Sequence, residues 1–80
     1  MLAQKVKDEI ALEQFYDKFK ISAGEREIIA LIMKGMDNKQ IEGKLFISHG
    51  TVRNNVSRIY KKLNVKNRFE LITLFKNIKG

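Results

Sequence analysis

Apolar positions recur at helical spacing between residues 48 and 63, and the positions between them are polar or basic. One sector of a helical wheel collects the apolar side chains of this segment, namely Val52, Val56, Ile59 and Leu63. The opposite sector mixes short polar groups with long cations: Gly50, Asn54, Ser57, Arg58 and Lys61, with Arg53 at the flank. The pattern predicts a helix over about 49–63 that buries one face and exposes a polar, cationic one.

Further helices are predicted by capping patterns, in which a serine, acid or amide is followed three positions later by Glu or Gln. The pairs are Ser22 with Glu25, Asp37 with Gln40, and Asn67 with Glu70. Ser48 is placed to cap the 49–63 helix, and Gly35 is placed to end the first of the other helices. The helix that begins after Asp37 is predicted to end at about Leu45. A turn of about three residues then joins it to the 49–63 helix, which is typical of a helix-turn-helix unit.

Residues 1–20 carry two apolar stripes rather than one. The stripes lie about 140° apart on a helical wheel and consist of Leu2, Val6 and Ile10 in one, and of Leu12, Phe15, Tyr16 and Phe19 in the other. We expect the second stripe to pack on the compact part of the chain and the first to meet a second subunit or an upstream domain. The alternative is one helix wrapped against its own core. We therefore divide the chain into an N-terminal linker or dimerisation helix over 1–20 and a helical domain over 21–80.

The positive charge of the chain is concentrated in its second part. The whole sequence has a net charge of +7 at pH 7. Residues 1–30 contain five basic and six acidic residues, whereas residues 31–80 contain eleven basic residues and three acidic ones. Because the predicted 49–63 helix lies in the basic part, the distribution favours a polyanionic partner such as nucleic acid, with an anionic membrane surface as the lesser alternative.

Several function classes lack the residues that they need. The chain has no cysteine, and its one histidine, His49, has no cluster of metal ligands around it, so we expect an exposed or phosphate-facing imidazole and neither metal nor cofactor. No nucleophile–base pair or phosphate-binding glycine loop occurs, so we expect that the protein is not an enzyme. The longest apolar run, Ile28 to Met33, is far shorter than a membrane span, and charges interrupt the N-terminus. We expect no membrane insertion by this segment, no signal peptide and a cytoplasmic location.

About two thirds of the chain follows a known set of landmark residues at uninterrupted spacing. They are Glu25-Arg26-Glu27, Gly35, Asn38-Lys39-Gln40-Ile41, Leu45-Phe46-Ile47-Ser48, Thr51-Val52-Arg53-Asn54, Lys62-Leu63, Val65, Asn67-Arg68 and Glu70. With these landmarks the segment 21–74 resembles the LuxR-type (GerE-like) helix-turn-helix DNA-binding domain, found at the C-terminus of many bacterial response regulators and quorum-sensing regulators.

The resemblance implies an all-α, tetrahelical helix-turn-helix bundle over 21–80, with the 1–20 helix as an addition. Its third helix, about 49–63, would enter the major groove of DNA, and its fourth helix would be able to mediate dimerisation. By position in the family motif, Arg53, Asn54 and Ser57 would face base edges. The phosphate-binding candidates are Lys39, Thr51, Asn55, Arg58, Lys61 and Arg68.

Some of these assignments have alternatives. For Thr51 a local bond that stabilises the helix start is equally favoured. Lys62 and Lys66 would be either further phosphate contacts or solvated surface charges. Glu42 stands where the family usually has alanine, close to the third helix, and we expect its stem to be tucked aside.

The fourth helix differs from the family pattern in the size of its apolar residues. Its predicted core side carries Leu71, Leu74, Phe75 and Ile78. Of these, Leu71 and Phe75 are bulkier than the alanines that are common there. Together with Phe69 and Ile72 on another face, their volume indicates an apolar surface that a homodimer would bury. The dimerisation candidates are Phe69, Ile72, Leu2, Val6 and Ile10.

We predict sequence-specific binding of double-stranded DNA in bacterial transcription regulation, by the output domain of a LuxR-type regulator that binds as a homodimer. The alternative is a helical protein-interaction module, similar to a sigma-factor fragment or contacting RNA polymerase, that does not read DNA sequence. Exposed apolar groups at Phe69 and Ile72 would fit that alternative. The basic second part, the helix-turn-helix spacing and the polar face of the third helix together favour DNA.

Overall fold

The computed structural model describes the backbone of residues 2–79 and the side chains of residues 9–78. It contains the helices α1 (Leu2–Lys18), α2 (Ala23–Met33), α3 (Asn38–Leu45), α4 (His49–Leu63) and α5 (Arg68–Lys79). No strand occurs in the described backbone. The predicted all-α class, with four helices after an additional N-terminal one, is confirmed.

Local capping sets where the helices begin. At α2 the Glu25 N–H donates to Ser22 Oγ at 3.2 Å, and the Ser22 N–H donates to Glu25 Oε1 at 2.8 Å. Asp37 and Gln40 make the same reciprocal pair at the start of α3, so both predicted capping boxes are confirmed. At α5 the Glu70 N–H donates to Asn67 Oδ1 at 2.9 Å.

The turn between α3 and α4 consists of Phe46, Ile47 and Ser48. Phe46 has φ 55° and ψ 44°, a left-handed conformation that costs a residue with a Cβ about 1 kcal/mol. The N–H groups of Phe46 and Ile47 both donate to the carbonyl oxygen of Glu42, which satisfies the end of α3. Ser48 Oγ then accepts from the Thr51 N–H at 3.1 Å and starts α4. The chain thus reverses between the two helices without a glycine.

Helices α2, α3, α4 and α5 contribute to one apolar core. The predicted buried stripe of α4 is confirmed, with Val52 and Ile59 fully buried and Val56 and Leu63 nearly so. The partners of this stripe come from α2, α3 and α5: Ile28, Ile29, Leu31, Ile32, Ile41, Leu71 and Phe75. Because one face of α4 is anchored in this way, its opposite face is held towards solvent.

Helix α1 packs on α5 through aromatic rings. The Phe75 ring lies 5.4 Å from that of Phe15 and 6.0 Å from that of Tyr16, measured between centroids. Tyr16 is buried, which agrees with our expectation that its stripe packs on the compact part of the chain. In the other stripe Ile10 is 52% exposed, whereas the side chains of Leu2 and Val6 lie outside the described residues.

The predicted core side of α5 is confirmed for Leu71 and Phe75, so these two residues do not form part of an exposed apolar surface. Leu71 is fully buried and Phe75 is 2% exposed, because both belong to the core and α1 contributes rings that pack against Phe75. Phe69 does lie at the surface, with 77% of its area exposed, and Ile72 is half-buried against the core.

In the described part of the chain, no helix combines the length and the apolar character that crossing a membrane requires.

The two phenylalanines of α5 provide a matched test of this packing. Replacing buried Phe75 with Ala should lower the free energy of unfolding by about 3 kcal/mol, since it leaves a cavity beneath α1. Replacing exposed Phe69 with Ala should change it by less than about 0.5 kcal/mol. Urea unfolding followed by circular dichroism measures both. Equal effects of the two substitutions would contradict the docking of α1 on α5.

Candidate nucleic-acid interface

The exposed face of α4 presents the three residues that the family resemblance assigned to base edges. Arg53, Asn54 and Ser57 are all exposed; Asn54 and Ser57 lie opposite the buried stripe, and Arg53 lies at its flank. A shallow groove of about 340 Å³ runs along one side of them. It is lined by Asn38 at the start of α3 and by Arg53, Val56, Ser57 and Tyr60 of α4. The structure therefore places these polar groups on one accessible surface, which we call the α4 face.

One edge of the α4 face is organised by a chain of side-chain hydrogen bonds. The Thr51 and Ser48 hydroxyl groups lie 2.8 Å apart, so the local bond considered for Thr51 is present. Asn55 donates from Nδ2 to the Thr51 carbonyl oxygen at 2.8 Å, and Arg58 donates from Nη2 to Asn55 Oδ1 at 3.2 Å. The guanidinium of Arg58 is thereby held at the surface, where its side chain is 60% exposed.

The other phosphate candidates lie apart from that chain. Lys39, in the first turn of α3, and Lys61, on α4, are exposed. Arg68 is half-buried at the start of α5 and donates from Nη1 to Asn38 Oδ1 at 3.3 Å. Its Nη2 atom is buried without a hydrogen-bond partner among the described residues. Arg68 therefore joins α5 to the start of α3 beside the groove, instead of extending into solvent.

A buried carboxylate beneath the α4 face was not foreseen from the sequence. Glu25 is 2% exposed, and its Oε1 accepts from Lys62 Nζ at 2.7 Å. Lys62 Nζ also donates to the Lys20 carbonyl oxygen at 2.9 Å, and Arg58 Nε lies 3.8 Å from Glu25 Oε2. Lys62 is thus an ion-pair partner of Glu25, a role that neither interpretation considered for it included. The capping pattern revealed the local role of Glu25 but gave no sign of a partner on α4.

Two opposing effects set the acidity of Glu25. Burial, the strongest single effect, raises the pKa of the carboxyl group by disfavouring its charged form. Hydrogen bonds from Lys62 and Ser22, with the charge of Lys62, together outweigh burial and hold the pKa below its ordinary value. Glu25 is therefore a carboxylate at neutral pH, and its negative charge stabilises the fold.

A second acid–base pair lies at the start of α4. His49 Nδ1 is 2.7 Å from Glu42 Oε2, and the two side chains are 64% and 24% exposed. The carboxylate of Glu42, whose stem we expected to be tucked aside, bridges α3 to the first residue of α4. His49 is exposed, one of the two situations that we expected for it. The described residues contain no cluster of three or more His, Cys, Asp or Glu side chains that could hold a metal ion.

Comparison with known proteins gives consistent matches. Residues 20–75 match the model of the family described as bacterial regulatory proteins, luxR family. The chain is 37% identical to the spore germination protein GerE of Bacillus subtilis over 60 residues, which are 75% of this chain and 81% of GerE. It is 49% identical to the transcriptional regulatory protein DesR of the same organism over 49 residues, 61% of this chain and 25% of DesR. It is 47% identical to the oxygen regulatory protein NreC of Staphylococcus carnosus over 57 residues, 70% of this chain and 26% of NreC. The chain thus spans about a quarter of DesR and of NreC.

Replacing Glu25 with Gln tests the buried ion pair. The substitution should lower the free energy of unfolding at pH 7 by about 2 kcal/mol, less than for a fully buried pair, because Lys62 is 32% exposed. Since the pKa of Glu25 is below its ordinary value of 4.5 in the fold, its contribution is present above that pH and is lost as pH falls through the folded-state value. The difference in the free energy of unfolding between wild type and variant, measured by urea unfolding, should therefore become smaller below about pH 4.5.

The matched control is Glu27→Gln, which changes an exposed carboxylate on the same helix. Its effect at pH 7 should be smaller than about 0.5 kcal/mol. A difference between wild type and Glu25→Gln that stays constant down to about pH 3 would show that the charge of Glu25 contributes nothing to stability.

Proposed function

Because the chain belongs to the LuxR family of bacterial regulatory proteins, whose helix-turn-helix domain is a DNA-binding domain of transcription regulators, we propose that it recognises specific sequences of double-stranded DNA with α4 in the major groove. The observation that carries this proposal is the joint exposure of Arg53, Asn54 and Ser57 on a helix whose other face is anchored in the core. Members of the family are transcriptional regulators, not enzymes.

The chemistry of these three side chains suits base edges in the major groove. An Asn amide pairs with N6 and N7 of adenine, an Arg guanidinium pairs with O6 and N7 of guanine, and a Ser hydroxyl bonds either type of edge. We assign base reading to Asn54 and Arg53, with a shorter or water-mediated contact from Ser57. The turn after Leu45 supports this assignment, since α3 can cross the DNA backbone while the start of α4 points into the groove.

Phosphate contacts on both sides of the α4 face would provide most of the affinity. We assign them to Thr51, Asn55, Arg58, Lys61, Lys39 and Arg68. On one edge, Arg58 is already held at the surface by Asn55. On the other, Lys39 lies in the first turn of α3, where the helix dipole also favours an anion. Arg68 would act there beside Asn38, to which it donates a hydrogen bond.

We propose that two copies bind together, because one helix reads only a short half-site and binds it weakly. Phe69 is a large apolar side chain left exposed on α5. Beside it lies a shallow groove of about 290 Å³, lined by Val65, Phe69, Glu70, Thr73, Leu74 and Asn77. We assign the dimer interface to Phe69 and Ile72. The stripe of α1 that consists in sequence of Leu2, Val6 and the exposed Ile10 is assigned to contact with a second subunit or an upstream domain.

The role of the chain in a whole regulator is also a proposal. Its matches to DesR and NreC cover about a quarter of each of those proteins. We propose that this domain is the cytoplasmic output part of a regulator in which another domain senses the signal. Control of dimerisation, or of access to α4, would then switch DNA binding.

Two substitutions on the α4 face separate base reading from phosphate binding. Bound duplexes are first selected from a randomised library at physiological salt. Asn54→Ala should then cost about 1 to 3 kcal/mol of discrimination between the selected site and a changed one. Lys61→Ala should weaken binding to all sequences alike and reduce the slope of log affinity against log salt by about one.

An unenriched pool in the selection would refute sequence-specific binding. In that case tight binding to RNA polymerase, measured with the purified enzyme, would favour the alternative of a protein-interaction module. Unchanged discrimination by Asn54→Ala would remove that residue from base reading while leaving the rest of the proposal in place.

The dimer proposal is tested with Phe69→Ala, a substitution that should leave the fold intact. On a duplex with two half-sites the variant should bind at least about tenfold more weakly than wild type, since the second copy no longer gains from the first. On a duplex with one half-site the affinities should agree. Equal loss on both duplexes would place Phe69 in DNA contact or folding instead of in the dimer interface.

A further inference from the structure

The pair formed by Glu42 and His49 lies where α4 would enter the DNA, and its chemistry is not used by the contacts assigned above. His49 is the first residue of α4, and most of its side chain is exposed. It is also the one histidine of the sequence. Histidine is the side chain whose charge ordinarily changes near neutral pH. Any inference from this pair rests on the proposed function, because it concerns the same DNA interface.

The contact between Glu42 and His49 indicates which ring nitrogen of the histidine carries a proton. A carboxylate has only acceptor atoms, so the 2.7 Å contact requires that Nδ1 of His49 carries a proton and donates it to Glu42 Oε2. In the neutral imidazole, Nε2 is then a bare acceptor that would repel a phosphate oxygen. Uptake of one proton turns Nε2 into a donor while the bond to Glu42 is kept.

Binding of DNA would add negative charge around the pair. In the free protein the carboxylate of Glu42 contacts the imidazole, and the positive end of the α4 dipole lies at the same residue. The other charged residues on the neighbouring turns are all cations: Lys39 and Lys44 of α3 and Arg53 of α4. DNA phosphates would offset these cations and the dipole. Within 4.0 Å of the imidazole, Glu42 is the one carboxylate among the described residues.

Glu42 also needs a cation when DNA is bound. The acids of residues 31–80 are Asp37, Glu42 and Glu70. Asp37 and Glu70 accept hydrogen bonds from backbone N–H groups at the starts of α3 and α5. Glu42 instead faces the start of α4, where a bare carboxylate would repel the phosphate backbone. A protonated His49 would neutralise it.

We propose that His49 takes up a proton when DNA binds, and that its imidazolium, held by Glu42, donates from Nε2 to a DNA phosphate. Glu42 is the positioning residue of this contact. Since the protonated form is preferred in the complex, affinity for DNA must rise as pH falls through the range in which the histidine titrates.

The test measures affinity for the selected duplex at constant ionic strength between about pH 8 and about pH 6. Wild type should bind about three- to tenfold more tightly at the lower pH. His49→Gln keeps a polar side chain but cannot take up the proton, so its affinity should not change with pH. Glu42→Gln removes the carboxylate that attracts the proton, so its response should move to lower pH. The control Lys76→Gln, an exposed cation of α5 outside the charges around the pair, should keep the wild-type response.

A direct readout is available because the chain contains one histidine. Its ring protons can be followed by NMR across pH, free and bound to the duplex, and its titration midpoint should be higher in the complex. Equal midpoints, or the same pH response in wild type and His49→Gln, would overturn the inference even if the duplex binds specifically. Failure to bind any duplex would refute the proposed function itself, together with this contact.

Discussion

The buried carboxylate of Glu25 connects the start of α2 to α4. It accepts a hydrogen bond at the start of α2, forms an ion pair with Lys62 of α4, and lies near Arg58 one turn earlier on the same helix. Lys62 extends the connection to the Lys20 carbonyl oxygen, where the chain leaves α1. Taking a carboxylate out of water costs several kcal/mol, so the arrangement is stable only while these donors stay in place. The rotation of α4 about its axis, and hence what it exposes, depends on that requirement.

Aromatic packing between α1 and α5 adds a second constraint. The ring of Phe75 meets rings of α1, and Arg26 of α2 lies over the Tyr16 ring at 4.9 Å. Arg26 also pairs with Glu13 and Asp17 of α1. Although the family match begins at residue 20, α1 from Glu13 onwards is thus bound to the domain by both apolar and ionic contacts. A movement of α1 would act on α2, and through Lys62 on α4.

The features that the sequence predicted well are those that local chemistry decides. A capping box involves residues three positions apart, and the stripe of α4 follows from helical periodicity, so α2, α3 and α4 begin where expected. The exposure of Arg53, Asn54 and Ser57 follows from the same periodicity. The ion pair of Glu25 with Lys62 joins residues 37 positions apart, and no local pattern signals it. Periodicity also placed Leu71 and Phe75 on the core side of α5, but the packing of α1 rings against Phe75 depends on how α1 docks, which periodicity alone cannot decide. Whether a polar side chain on α4 meets a base or a phosphate depends on how the DNA lies, which no residue pattern fixes.

The two edges of the α4 face differ in how far they are organised before DNA arrives. On one edge Thr51, Asn55 and Arg58 are joined by hydrogen bonds, and Arg58 is also drawn towards Glu25. Ordering a long side chain on binding costs about 0.5 to 1.5 kcal/mol. Arg58 on this edge is already held by a hydrogen bond to Asn55 in the free protein, so part of this cost does not arise when DNA binds. On the other edge Lys39 is an exposed cation, and ordering its long side chain remains a cost of binding. In the proposed complex the organised edge would therefore fix the register of α4 on the duplex, whereas the edge at Lys39 would add affinity after the register is set.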